Sequence, residues 1–164
     1  MAQRVVPAVV VLVIALALGF VLTGSASERD PVVVVGGHQG EVAAVPLSGD
    51  SRFSLRYRHS VYERPAVETF AVDESGRFSL VHVTSSSEEV LDYYGIDGRR
   101  VSKGPWRRLV LDEPQRFSRL SLIGTPTGRR TLLVDDERVP LYGQHGPAHL
   151  SICIRPGPTT CWRD

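Results

Sequence analysis

The stretch Arg52-Phe53-Ser54-Leu55-Arg56-Tyr57-Arg58-His59-Ser60-Val61 decides how this chain folds. Phe53, Leu55, Tyr57, His59 and Val61 fall on one parity, and Arg52, Ser54, Arg56, Arg58 and Ser60 on the other. Successive side chains of a β-strand point to opposite faces, so this alternation specifies a strand with one face in a core and one in water. It puts three arginines on the wet face and His59 on the apolar face. A titratable ring among core residues needs either a partner or a task.

Working outward, the same kind of segment recurs. Strands are expected over Pro31–Val35, Glu41–Leu47, Arg52–Val61, Ala66–Val72, Arg77–Val83, Trp106–Leu111, Arg116–Ile123, Arg130–Val134, Val139–Tyr142 and His149–Arg155. Gly36-Gly37, Ser48-Gly49-Asp50 and Asp73-Glu74-Ser75-Gly76 supply turn chemistry between them. Short strands at this spacing, without long 3.6-period segments, predict an all-β fold, mainly an antiparallel sandwich or partly open barrel. One short helix is expected inside it. Ser85 with Glu88, and Ser86 with Glu89, fit a capping box; Val90, Leu91, Tyr93 and Tyr94 form an apolar face, and Gly95 is placed to end the helix.

Glu63, Arg64 and Pro65 separate the Arg52 strand from the next one. A tight hairpin centred between Glu63 and Arg64 sets His59 opposite Glu68, Tyr57 opposite Phe70 and Leu55 opposite Val72, all on the apolar face. His59, Glu68, Tyr57 and Ser60 are therefore the candidate site. The plainest role for the His59–Glu68 pair is a satisfied semi-buried polar clasp, since an unpaired buried polar group costs about 1–3 kcal/mol. A ligand site at the open end of the sheet is the main alternative.

Catalysis is the weakest reading. His59 and Ser60 are neighbours on a strand and point to opposite faces, so the imidazole cannot activate that hydroxyl. No Gly-x-Ser-x-Gly elbow, cofactor loop or metal-ligand spacing accompanies them, so neither an enzyme, a cofactor nor a metal is expected. Ser60 is expected to bond the turn backbone ahead of Pro65. His82 shares parity with Phe78 and Leu80 and is expected to face the core. His145 and His149 are separated by Gly146-Pro147, which forbids the helix that would align them. The pairs Arg99-Arg100, Arg107-Arg108 and Arg129-Arg130 read as turn and strand-edge charges; an anion site would need two pairs to converge.

The segment Val5–Leu22 carries eighteen apolar residues in succession after Arg4. That length reaches a membrane span and exceeds the usual signal-peptide core, which favours a retained anchor with the rest of the chain exported. Thr23-Gly24-Ser25-Ala26-Ser27 suits cleavage, so a signal peptide within residues 1–27 remains the alternative. Residues 28–164 then form a single exported domain, at the cell membrane or secreted. Of 19 Lys and Arg residues only Arg4 belongs to the leader, leaving 18 against 18 acidic residues. This balance argues against nucleic acid as a partner, which needs a positive excess. Cys153 and Cys161 are the only cysteines, and export favours a disulfide between them over two free thiols.

Tyr57, His59, Ser60, Val61, Pro65, Glu68 and Phe70 together resemble the domain of unknown function 1850 family, short exported or membrane-tethered bacterial proteins with a Tyr-x-His-Ser-Val segment, a Pro-Val step and a following Glu. Ala66 stands where that family usually has valine, and Ser85–Tyr94 occupies the place of a glycine-rich stretch found in many members. The resemblance includes the Phe53 strand and Gly76-Arg77-Phe78 and fades after about residue 100. It implies no specific chemistry. It does imply a context: companions of TRAP-type solute transporters of the TAXI class. The expectation is therefore an accessory protein acting with a permease on the outer side of the membrane, or a module that binds a small solute at the His59–Glu68 corner.

Overall fold

The alternating segments become strands in a computed structural model that describes residues 30–143, 147–157 and 161. In chain order they are β1 (Val32–Gly37), β2 (Gly40–Pro46), β3 (Arg52–Arg58), β4 (Pro65–Val72), β5 (Phe78–Ser85), α1 (Glu88–Tyr93), β6 (Gly98–Lys103), β7 (Trp106–Phe117), β8 (Leu120–Gly124), β9 (Thr131–Val134), β10 (Glu137–Pro140) and β11 (Ala148–Arg155). They build a four-stranded sheet in the order β2-β1-β11-β8 and a seven-stranded sheet in the order β10-β9-β3-β4-β5-β7-β6. Every neighbouring strand pair among the described residues is antiparallel, so the all-β expectation holds. The leader over residues 1–27 lies outside the described residues, and no described helix is long and apolar enough to cross a membrane.

One hydrophobic cluster draws on both sheets. Val33, Val35, Ile152 and Ile154 come from the smaller sheet; Phe53, Leu55, Phe70, Phe78 and Leu132 come from the larger. Phe53 stacks on Phe70 with ring centroids 4.9 Å apart and meets Phe78 edge-on at 5.3 Å. Such ring pairs add about 0.5–1.5 kcal/mol each beyond the area they bury. The outer face of the smaller sheet carries Val34 and Cys153 side by side. Cys153 is joined to Cys161 with a Cα–Cα distance of 6.1 Å, which ties the tail to β11.

The β4–β5 hairpin turns where the sequence marks it. Asp73 Oδ1 accepts from the backbone N–H of Ser75 at 2.9 Å and of Arg77 at 3.0 Å, and Gly76 takes φ +77°. A close approach elsewhere explains another glycine. A Cβ on Gly124 would stand 1.7 Å from the Leu141 carbonyl oxygen, so only glycine lets that segment cross the end of β8.

Several expectations are corrected. β3 stops at Arg58 rather than Val61, because His59 begins the connection to β4. The expected Arg116–Ile123 strand is divided between the end of β7 and β8, and the last short strand is Glu137–Pro140 rather than Val139–Tyr142. β6 was not expected at all: beyond half-buried Gly98 its residues are exposed, as suits an edge strand, so no apolar alternation marks it. His82 does not face the core. The β4–β5 register shifts between Leu80 and His82, and the extra residue, Val81, turns His82 to the outer face opposite Thr69. Finally, α1 is capped by Ser87, whose hydroxyl goes to Glu89 Oε2 at 2.5 Å rather than to the helix backbone. The Ser85 hydroxyl instead donates to the Pro65 carbonyl at 2.8 Å.

Candidate ligand-binding site

The β3–β4 hairpin is where parity and pairing part. The observed register sets Phe53 opposite Phe70, Leu55 opposite Glu68 and Tyr57 opposite Ala66. Glu68 thus faces Leu55 rather than His59, a shift of four residues from the tight-turn expectation. An even shift leaves every side chain on its expected face, so Tyr57 and Glu68 do share the core side. What changes is the turn, which takes the six residues 59–64.

His59 explains the longer turn. Its backbone N–H donates to the Arg64 carbonyl and its carbonyl accepts from Glu63 N–H, both at 2.8 Å. Its Nδ1 accepts from the backbone N–H of Val61 at 3.3 Å and of Tyr62 at 3.4 Å. The imidazole therefore caps its own loop as an aspartate would. Because both donors point at Nδ1, that nitrogen carries the lone pair and the ring proton sits on Nε2. Burial holds the His59 pKa below its ordinary value of 6.5, which favours this neutral form. His59 as a residue is 5 % exposed, and its ring packs edge-on to Tyr93 at 4.7 Å and tilted against Tyr62 at 5.3 Å. Ser60 is exposed at the rim, and among the described residues its hydroxyl has no partner, so the expected bond to the turn is not made.

Glu68 finds partners from three other elements. Tyr94, at the C-terminal cap of α1, donates to Glu68 Oε1 at 2.7 Å, and Tyr57 approaches the same oxygen at 3.3 Å. The two tyrosine hydroxyls also bond each other. Arg130, just before β9, brings a guanidinium nitrogen to 3.6 Å from Glu68 Oε2 and lays its carbon 4.4 Å over the Tyr57 ring. Burial, then the Glu68 carboxylate, pushes the Tyr57 pKa up to about 12. The Tyr94 pKa is raised for the same two reasons, with Tyr57 adding to them. Both phenols therefore stay protonated; Tyr94 gives its one proton to the carboxylate, and Tyr57 spends its one proton between the Tyr94 oxygen and the more distant Oε1.

Local structure positions each member. Val90 and Leu91 bury α1 against the core, while Arg100 pairs with Glu88 and Asp92, and Arg107 with Glu88. These ion pairs pin the helix to β6 and β7, and Gly95 at φ +60° closes it directly after Tyr94. Thus Arg100 and Arg107 are clamps for the helix that delivers Tyr94. On the other side, the loop over residues 125–130 is tied to β3 by a 2.7 Å bond from Arg58 N–H to the Gly128 carbonyl.

His59 and Glu68 consequently line one cleft of about 520 Å³ without bonding each other. Tyr57, Tyr94, Thr125 and Arg130 complete its polar wall, and Tyr93 and Ile123, 61 % and 51 % exposed, stand at its apolar rim. Tyr94 and Arg130 were not expected in the site. The signal for Arg130 was present: it shares parity with Leu132 and Val134, both buried, so it is a charge on the core side of β9. Among the described residues no group of three or more His, Cys, Asp or Glu could hold a metal, and His145 lies outside them. The arrangement offers donors and a caged carboxylate rather than a nucleophile beside a base.

No protein-family model, curated protein or solved structure matches this chain.

Proposed function

We propose that this chain is a small-ligand-binding β module whose site is the cleft shared by His59, Tyr57, Glu68, Tyr94 and Arg130. One observation carries the reading. His59 is almost fully buried, both of its ring bonds are spent at Nδ1 on its own loop, and the Nε2 proton has no protein partner among the described residues. A buried donor without an acceptor costs about 1–3 kcal/mol, which a ligand with a polar acceptor would recover. Glu68 and Arg130 have opposite charges, so the cleft suits a small polar solute that carries its own donors and acceptors.

The test is a thermal-shift screen of the full chain over carboxylates, amino acids and divalent metals. The expected result is stabilisation that grows with ligand concentration. It should be lost in His59→Asn, whose side-chain oxygen can keep the loop cap while the Nε2 donor is removed. No shift from any compound, or no compound whose shift is lost in His59→Asn, would remove the reading.

A second reading joins the first through the motif. Tyr57, His59, Ser60, Val61, Pro65, Glu68 and Phe70 support an exported or membrane-tethered accessory role beside a TRAP/TAXI-type permease. The exposed Val61, Tyr62, Tyr93 and Ile123 supply apolar surface near the cleft for such a contact. Copurification with a permease, and altered solute uptake on deletion, are the expected outcomes. Normal uptake with no membrane partner on crosslinking would count against it.

A further inference from the structure

Tyr57 also lines a second cleft, of about 400 Å³, whose walls carry Arg56, Arg58, Arg129 and Arg138. Among the described residues the only carboxylate lining it is Glu63, already paired with Arg58 at 2.8 Å. Arg56, Arg129 and Arg138 have no carboxylate within 4.0 Å among the described residues. Arg58, Arg100, Arg107, Arg130 and Arg155, by contrast, all sit in ion pairs. Three exposed guanidinium groups around one concavity, with no carboxylate beside them among the described residues, raise the local positive potential, which favours an anion there.

The topology explains how they meet. β3, β9 and β10 are neighbours in the larger sheet, with Arg56 opposite Thr131 and Leu133 opposite Arg138. Thr131 and Leu133 share one face of β9, so Arg56 and Arg138 flank that strand on the outer side of the sheet. Two strand spacings set their backbones roughly 10 Å apart across the sheet, within reach of one ligand held between two arginine side chains. Arg129 enters from the loop before β9. Its φ of +46° separates its direction from that of Arg130, so consecutive arginines serve the two clefts on either side of Tyr57.

The loop that holds Arg129 is already fixed. Arg129 N–H donates to the Thr125 carbonyl at 3.0 Å, and Gly128 N–H donates to Thr125 Oγ1 at 2.9 Å. Little ordering is left to be done on binding. Tyr142 adds a hydroxyl-bearing ring at the edge of the cleft.

We infer that this cleft is a site for a small multivalent oxyanion, a di- or tricarboxylate or a phosphate group, gripped by Arg56, Arg129 and Arg138. Guanidinium forks bond such groups two oxygens at a time, which selects them over chloride and over a single weak carboxylate. The site shares Tyr57 and Arg58 with the wall of the His59–Glu68 cleft, but Arg56, Arg129 and Arg138 line it alone.

The experiment titrates the full chain with citrate, inorganic phosphate and acetate, with ionic strength held constant by NaCl, and follows the melting temperature and the heat of binding. Citrate or phosphate should give a saturable shift and acetate none, and the stronger of the two identifies the ligand chemistry. The double variant Arg56→Gln/Arg138→Gln should weaken binding at least tenfold. Arg99→Gln/Arg116→Gln removes the same charge at exposed positions outside the cleft and should leave it unchanged. His59→Asn should also leave it unchanged, which separates this site from the neighbouring one. Failure to saturate at matched ionic strength overturns the inference. So does equal weakening by the Arg99/Arg116 pair, or loss of binding in His59→Asn with retention in Arg56→Gln/Arg138→Gln.

Discussion

Replacing Tyr94 by phenylalanine removes one hydroxyl from the cluster around Glu68 and leaves the ring that packs beside it. The hydroxyl donates to a carboxylate 15 % exposed, over 2.7 Å, so it is a charge-assisted bond in a largely dry place. Bonds of that kind contribute about 1.5–3 kcal/mol, and Tyr57 can move to donate in its stead, so a loss of about 2 kcal/mol is expected. Tyr57→Phe removes a longer contact to Glu68, 3.3 Å, and the bond to the Tyr94 hydroxyl, which leaves Tyr94 free to donate fully to the carboxylate, and it keeps the ring beneath Arg130. Its cost should be about 1 kcal/mol or less. Urea denaturation at neutral pH, followed by circular dichroism, gives both values from midpoint shifts at constant slope. In a Glu68→Gln background the acceptor is neutral, and Tyr94→Phe should cost about 1 kcal/mol less than in the parent chain. Tyr57→Phe costing as much as Tyr94→Phe, or strict additivity with Glu68→Gln, would refute the view that Tyr94 is the main donor to a charged Glu68.

Acid should weaken the fold through His82. His82 is half-buried between Thr69 and Val110; burial, then Arg108 and Arg52, lower its pKa to about 4. The unfolded chain then binds more protons, so this stability is complete above pH 6.5 and is lost as pH falls towards about 4. His82→Gln should flatten that part of a melting-temperature profile, and an unchanged slope would count against it. Gly124→Ala forces a Cβ to 1.7 Å from the Leu141 carbonyl and should cost more than about 3 kcal/mol, whereas Gly143→Ala meets nothing within 4 Å and should stay within about 0.5 kcal/mol; thermal melts of the pair decide this, and equal melting temperatures would sink it. Cys161→Ser opens a short loop and should lower stability by about 2–3 kcal/mol under oxidising conditions, with no difference from the parent chain after reduction.

The neighbourhood of Tyr57, Glu68 and His59 illustrates how much of the site was readable. Parity alone put all three on one side of the sheet region, because a strand's side-chain period is two whatever its partner is. Parity cannot say which residue lies opposite which. That depended on His59 spending its imidazole on the backbone of its own turn, a contact three residues long that lengthens the connection and slides Glu68 to Leu55. The same limit explains His82, since one bulged residue at Val81 reverses the face of everything after it and leaves no mark in the alternation.

By itself, then, the sequence determined the antiparallel β class, the strands that carry apolar alternation, the Asp73 turn and the short helix before Gly95. These follow from local periodicity and backbone preference. Tertiary structure alone decided the company Glu68 keeps. Tyr94 arrives on a helix held by Arg100 and Arg107, and Arg130 arrives on a loop held by Arg58, from 26 and 62 positions further along the chain. Such meetings are set by how sheets and loops pack, which no spacing along the chain encodes.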